Sequence, residues 1–452
     1  MHLAKLTMNK FLPVLFVACG LQLTSNAQEI SPYSRYGLGD ISPNRNILSR
    51  GMGGLAAGVV DYQSINFTNP AALGAIYNTI FDLGTEVDVR TLRNVSPAQK
   101  FTSTNAQFSY LQLGFPLTTK RMLKKDINWG MTFGLRPVSR IDYSISKRER
   151  LTGVDSLLTV YKGSGGINQI FAGTGFQINE GTGFAKKVYR FGVNFGYMFG
   201  SKDYSTKIIL VNDTVDYYRS NSASNTNFGG LFIQGGFQFE DSIRVGSHKG
   251  NLRLGLYGNL QQRLNAKQDI LQETFSFDAA GNIFRVDSIS DQKNVKGTIV
   301  YPSTVGVGFT YQGPNWTYGG DFEFTNWANY TFYRQPDAVQ NSWVARVGAE
   351  FFPATKKTSA KKYFSFVRYR AGLFYGPDYV KVTTNRPNYG ITLGASMPLM
   401  RRIGYGGEWV VLHTGVEIGG RGDKNSIVRE NTVKYCVGLS MNARWFQKRK
   451  YD

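Results

Sequence analysis

His413 and Glu417 stand four residues apart in a chain that holds only three histidines. An imidazole beside a carboxylate is a minimal acid–base pair, and with a serine it would be the hydrolytic set of a lipase. The spacing puts both on one face of an extended strand, yet it points to no serine beside them. Asp82, Glu86 and Asp88 form a second candidate. Carboxylates on one strand face can hold a metal ion or divide acid and base roles, but solvated carboxylates paired with arginines such as Arg90 and Arg136 give the same pattern. There is no H-E-x-x-H and no cysteine pair for zinc. Arg50-Gly-Met-Gly-Gly54 has the glycines of a phosphate loop without the lysine and serine that follow one, and no helical pattern begins there. The residues predict no enzyme, no metal and no cofactor.

The elements that carry these residues alternate. Over Val433–Phe446, Tyr435, Val437, Leu439, Met441, Ala443 and Trp445 are apolar, while Lys434, Cys436, Gly438, Ser440, Asn442 and Arg444 are small, polar or charged. Successive side chains of a strand point to opposite faces, so one face is greasy and the other wet. The pattern recurs from about Ile80 to the end, as in Phe191–Phe199, Val305–Tyr311 and Trp316–Phe324. Each segment runs about ten residues, the length of a tilted strand crossing the hydrocarbon. Aromatics on nearly every greasy face favour lipid over a protein core. The expected fold is all-β: a transmembrane antiparallel β-barrel of about 14 strands. On it, Glu86, Arg90, Arg136, Asp321, Glu323, His413 and Glu417 face the lumen. Ser201–Asn221 and Gln268–Ser290 are read as hairpin extensions on the extracellular side, turning at Asn212-Asp213 and Ala280-Gly281-Asn282. Gln312-Gly313-Pro314-Asn315 is read as a periplasmic turn.

The N-terminus sets the compartment. Lys5 and Lys10 precede an apolar run from Phe11 to Leu23, followed by Ser25-Asn26-Ala27, the pattern of a secretory signal peptide over residues 1–27. No later segment is apolar for the 18 or so residues that a membrane helix needs. Cleavage removes Cys19 and leaves Cys436 alone, so no internal disulfide is expected. The net charge is +21. A secreted chain with its bases scattered among strands is not read as a nucleic-acid binder; outer-membrane lipid headgroups or an anionic solute fit better. Residues 28–75 do not alternate. They are rich in Gly, Asn, Pro and Ser, which marks a plug or a functional loop ahead of the barrel at 76–452.

Arg50-Gly-Met-Gly-Gly-Leu-Ala-Ala-Gly58, followed by Asn66-Phe-Thr-Asn-Pro-Ala-Ala-Leu73, resembles the N-terminal plug signature of the FadL family of outer-membrane channels. Phe108–Leu117, Gly134–Ser139, Trp316–Trp327 and Val347–Glu350 fit the same resemblance, which covers nearly the whole mature chain. Trp445-Phe446-Gln-Lys-Arg-Lys450 resembles the Bacteroidota branch, with a basic tail set after the usual terminal aromatic. The resemblance implies a 14-stranded barrel in the outer membrane, an N-terminal plug, a hydrophobic pocket and a lateral opening. It makes Gly51, Met52, Gly53, Gly54, Asn69 and Pro70 the plug and ligand-gating candidates. It implies passive uptake of hydrophobic or amphipathic small molecules such as long-chain fatty acids. The broad family also includes the FadL-like accessory subunit of the type IX secretion system. A non-transporting subunit of an outer-membrane secretion or assembly complex, with other subunits as partners, is therefore the alternative.

Overall fold

The computed structural model describes residues 31–94, 98–150, 156–181, 186–211, 218–245, 248–278, 280–354, 363–382, 384–401 and 409–443. The expected signal peptide, Trp445, Phe446 and the basic tail lie outside these residues, as do the lysines at 356–362. The plug comes first and carries β1 (Asp40–Ile41). The wall follows as β2 (Thr79–Asn94), β3 (Gln99–Pro116), β4 (Ile127–Arg150), β5 (Ser156–Glu180), β6 (Lys187–Val211) and β7 (Arg219–Val245). Next come β8 (His248–Asn259), β9 (Gln262–Phe277), β10 (Ile283–Tyr301), β11 (Ser303–Gln312) and β12 (Trp316–Asn326). After the two-residue β13 (Thr331–Phe332) the wall continues with β14 (Ser342–Phe351), β15 (Arg368–Pro377), β16 (Pro387–Arg401), β17 (Trp409–Arg421) and β18 (Val428–Ala443).

All neighbours are antiparallel, and β18 pairs with β2 from Val428↔Asn94 to Ala443↔Thr79, which closes the ring. The lower half of β7 pairs with β8 and its upper half with β9, while β11 and β10 pair with β8 and β9 in one continuous register. So β8 and β9 are one wall strand interrupted at Leu260-Gln261, and β10 and β11 another interrupted at Pro302. Counted this way the barrel has 14 strands.

The alternation read from the sequence is the wall's inside and outside. Tyr435 and Val437 are exposed on the lipid side while Cys436 between them is buried. Near the rim of short turns the outward aromatics pair across strands, as Trp129 does with Phe176 and Trp316 with Phe351. Bands of this kind mark a membrane interface. Crossing takes about ten residues, but β5, β6 and β7 have 25, 25 and 27. The excess stands beyond the opposite rim as a sheet flange that β9 and β10 complete. The second expected hairpin turn is there: Gly281 has φ +81°, and Asp278 receives the Gly281 amide on its carbonyl and those of Ala280 and Asn282 on its side chain. The first, expected at Asn212-Asp213, lies outside the described residues.

One seam is incomplete. β3 and β4 pair only from Leu111↔Leu135 to Pro116↔Gly130. Above that, Ser109 of β3 bulges opposite Gly84 and Thr85 of β2, and a second bulge between Pro137 and Ser139 shifts β4 against β5. The two strands separate, and the plug strand β1 takes part of the vacated edge through Asp40↔Arg140 and Ile41↔Ser139.

Candidate functional site

The plug is three short turns tied into the lumen. Ser31, Asn46 and Asn69 each cap one through a side-chain oxygen, before Pro32–Arg35, Ile47–Arg50 and Pro70–Ala75. Proline opens the first and third, where its missing N–H costs nothing. Gly51–Gly54 then runs along the wall. Gly53 has φ +70°, and a Cβ there would lie 2.8 Å from the carbonyl oxygens of Val347 and Leu373, so only glycine fits this turn. Met52 is buried with Leu48, Leu55 and Val59. Asn69 donates to the Ala57 carbonyl at 2.7 Å, and Pro70 packs against Gly236 of β7.

Several charges of the lumen are held by the plug. Arg45 donates to Glu323 (2.8 Å), to the Tyr257 hydroxyl (2.7 Å) and to the Gly54 carbonyl (2.8 Å), and Arg346 meets the other oxygen of Glu323 at 3.0 Å. Arg50 forks onto Glu417 at 2.6 and 3.0 Å and bonds Glu86 with its remaining nitrogen. Asp321 accepts from the backbone of Ala56 (2.6 Å) and Ala57 (2.9 Å). Arg90 holds Asp40 of the plug at 2.7 Å together with Asp88 (2.8 Å) and Glu430 (3.4 Å).

Two sequence expectations are corrected. Arg136 pairs with none of the carboxylates. It donates to Gln169 at 2.9 Å and lies 5.6 Å over the Phe67 ring. His413 does not meet Glu417, which Arg50 holds. Its ring nitrogens lie 2.5 Å from Ser396 and 3.1 Å from Ser440, and Ser440 donates to Asp82 at 3.0 Å. The serine that spacing along one strand could not supply comes from the neighbouring strand, through the pairing Ser396↔His413. The set is buried: His413 is 1% exposed, and Ser396 already takes a hydrogen bond from Arg370. Sequence reading also passed over Arg45, Arg370, Arg386 and Tyr257. The one available signal for Arg45 was an arginine in a glycine-rich segment that has no strand face to solvate it.

Burial pushes the Asp40 carboxyl up, but the guanidinium groups of Arg421 and Arg90 outweigh it and hold the acid well below the ordinary carboxylate range. A depressed folded pKa contributes stability that is complete above the unfolded value and lost as the pH falls through the folded one. The contribution of the Asp40 contact to plug docking is therefore expected to be complete above about pH 4 and to weaken only below that. Hydrogen exchange of the Asp40–Ser42 amides against pH measures it. Loosening already at pH 6 would contradict the pairing.

Between plug and wall remains a cavity of about 260 Å³. Arg45, Arg50, Arg346, Arg421 and Lys434 line it opposite Glu323 and Glu417, with Phe374 and Tyr389. Above it Leu38 of the plug joins Val138, Ile167, Met198, Phe228, Trp327, Tyr330 and Tyr379 in an apolar cluster. A second recess of about 840 Å³ lies at the open seam, between Asn105 and Phe108 of β3 and Pro137–Asp142 of β4.

This fold has solved counterparts. A FadL homologue from Pseudomonas aeruginosa superimposes with a TM-score of 0.53 at 11% identity, covering 90% of this chain and 100% of its own. The toluene transporter TodX of Pseudomonas putida gives 0.52 at 15%, with 90% and 100% covered, and the toluene transporter TbuX of Ralstonia pickettii 0.51 at 13%, with 90% and 99%. At such identities the likeness is one of fold: a FadL-like outer-membrane barrel. No curated protein sequence matches the chain. The model of one protein family, BamG, matches residues 8–452. The chain belongs to the BamG family. This BamG-family barrel thus shares its architecture with channels for hydrophobic substrates, while its sequence places it in a family of a different name.

Proposed function

We propose that this barrel is an accessory subunit of an outer-membrane assembly complex, built to be held and to hold partners rather than to conduct. The observation that carries the reading is the lumen. Its plug is fastened to β2, β12 and β17 by buried charge pairs and to β8 by a hydrogen bond from Arg45 to Tyr257, and guanidinium groups and carboxylates line the cavity left beside it together with Phe374, Tyr379 and Tyr389. A fatty acid needs a continuous apolar bed, since buried polar groups without partners cost free energy. Two further facts support it. The family's name points toward assembly, and the flange of long strands exposes Ile283, Phe284 and Ile289 on the β10 side. Exposed apolar side chains beyond a membrane are typical of a protein interface.

Gentle extraction and affinity purification from outer membranes tests the reading. Stoichiometric partner proteins are expected. A barrel recovered alone, whose deletion abolishes uptake of a hydrophobic compound, would reject it. One observation favours a second reading, passive uptake of hydrophobic small molecules such as long-chain fatty acids: the open β3–β4 seam gives the lumen a lateral exit toward the bilayer. Acyl chains bound to the purified barrel would support that alternative.

A further inference from the structure

The open seam is asymmetric. On the β4 side the plug caps the exposed edge: Ser42 donates its amide to the Val138 carbonyl, Asp40 and Ile41 pair with Arg140 and Ser139, and the Ser34 hydroxyl sits between the amide and carbonyl of Asp142 at 3.4 and 3.5 Å. On the β3 side the Phe108 carbonyl takes a hydrogen bond from Arg140 across the gap at 3.4 Å. Backbone groups of a strand alternate in direction with period two. If the Phe108 carbonyl faces β4, so do the N–H and C=O groups of Ala106, Thr104 and Thr102, while the residues between them bond to β2. No strand of the described residues pairs with that edge above Leu111.

Side chains beside the edge are also unmatched. Ser103 Oγ and Asn105 Nδ2 on β3, and Ser139 Oγ on β4, are buried and have no hydrogen-bond partner. These residues are 7%, 9% and 2% exposed. A lipid chain can satisfy neither an unpaired strand edge nor an orphaned amide donor.

We propose that the free edge of β3 over Thr102–Phe108 is a strand acceptor, and that an extended segment of a partner protein adds to it between β3 and the plug-capped β4. The incoming strand would supply the missing backbone partners. Hydroxyl or amide side chains on its lumenal face would answer Ser103, Asn105 and Ser139. The way the plug adds β1 to the facing edge shows that this seam accepts strands. The inference rests on the accessory-subunit reading and names its contact.

Amide hydrogen exchange over Gln99–Tyr110 tests it on the full-length protein. Three samples are compared: the gently extracted assembly, the stripped barrel in detergent, and that barrel in phospholipid nanodiscs. The Thr102, Thr104 and Ala106 amides should exchange about tenfold more slowly in the assembly than in either of the others. Thr104→Pro, which removes one edge donor, should lower partner recovery by about tenfold, whereas Thr104→Val, which keeps the donor, should not. If the proline variant fails to form a barrel, the exchange comparison decides alone. Partners recovered with an unprotected edge would overturn the strand acceptor and leave the accessory role standing. Protection by lipid alone would overturn it in favour of a lipid site, and a barrel recovered alone with an exposed edge would reject both.

Discussion

Arg50→Ala is expected to detach the plug while leaving the wall closed. Arg50 satisfies two carboxylates from opposite sides of the β2–β18–β17 stretch of wall, Glu86 and Glu417, whose side chains are 5% and 14% exposed. Truncation leaves both acids buried without the guanidinium that bridges them, and Lys434 of β18 is the remaining cation beside them. Breaking a buried pair in this way costs about 3–5 kcal/mol, comparable to the whole stability of many docked segments. The wall hydrogen bonds do not involve Arg50, so the cost falls on the plug. Limited proteolysis of outer-membrane vesicles should cleave the plug of the variant and spare that of the wild type, and planar-bilayer recordings should show conductance only for the variant. Adding Glu86→Gln and Glu417→Gln removes the bare charges and should restore part of the protection. An Arg50→Ala protein as resistant as the wild type would mean that the charge network is decoration on a plug held by shape.

Shape supplies the second large effect. Where the plug runs along the wall, the wall provides glycine, and plug backbone occupies the space of the missing side chain. A Cβ on Gly192 of β6 would sit 2.1 Å from the Pro70 carbonyl oxygen, and one on Gly372 of β15 would sit 2.2 Å from the Gly53 amide nitrogen. Both obstacles are backbone, so no rotamer change relieves them. Gly192→Ala and Gly372→Ala are each expected to cost at least the 1–3 kcal/mol of ordinary overpacking. Together they should expel the plug as fully as Arg50→Ala. Gly235, whose Cβ would meet nothing within 4 Å, is the matched control, and Gly235→Ala should be neutral. Thermal unfolding of the purified barrels, read alongside plug proteolysis, separates the two outcomes.

The period-two pattern made the wall legible. Cys436 buried between exposed Tyr435 and Val437 is what alternation along one strand can report. It could not report which strand stands beside which. The Ser396–His413 contact exists only because β16 and β17 lie in that register, and a shift of one residue would have turned both side chains to opposite faces. The same limit explains Arg136, whose lumenal direction follows from the pattern but whose partner, Gln169, comes from the neighbouring strand. The glycines and asparagines of the plug mark a segment without strand periodicity. That Arg45 and Arg50 would reach Glu323, Glu86 and Glu417 had no trace in spacing, because those partners sit on wall strands 36 to 367 residues away. The open seam was least visible of all: β3 and β4 alternate normally, and the bulges that part them leave no apolar signature.

The restraints on the plug also order events in time. Ser31 bonds to Glu430 across 399 residues, and Arg50 to Glu417 across 367. The seam that closes the ring joins β2 to β18, the first wall strand to the last. Contacts this distant in sequence pay their loop-closure entropy before they return anything, and they form slowly. The plug therefore waits, largely unstructured, until the C-terminal strands have arrived to receive it. The plug is made before the wall yet is among the last parts to find its place, and the barrel is complete only when β2 and β18 have met.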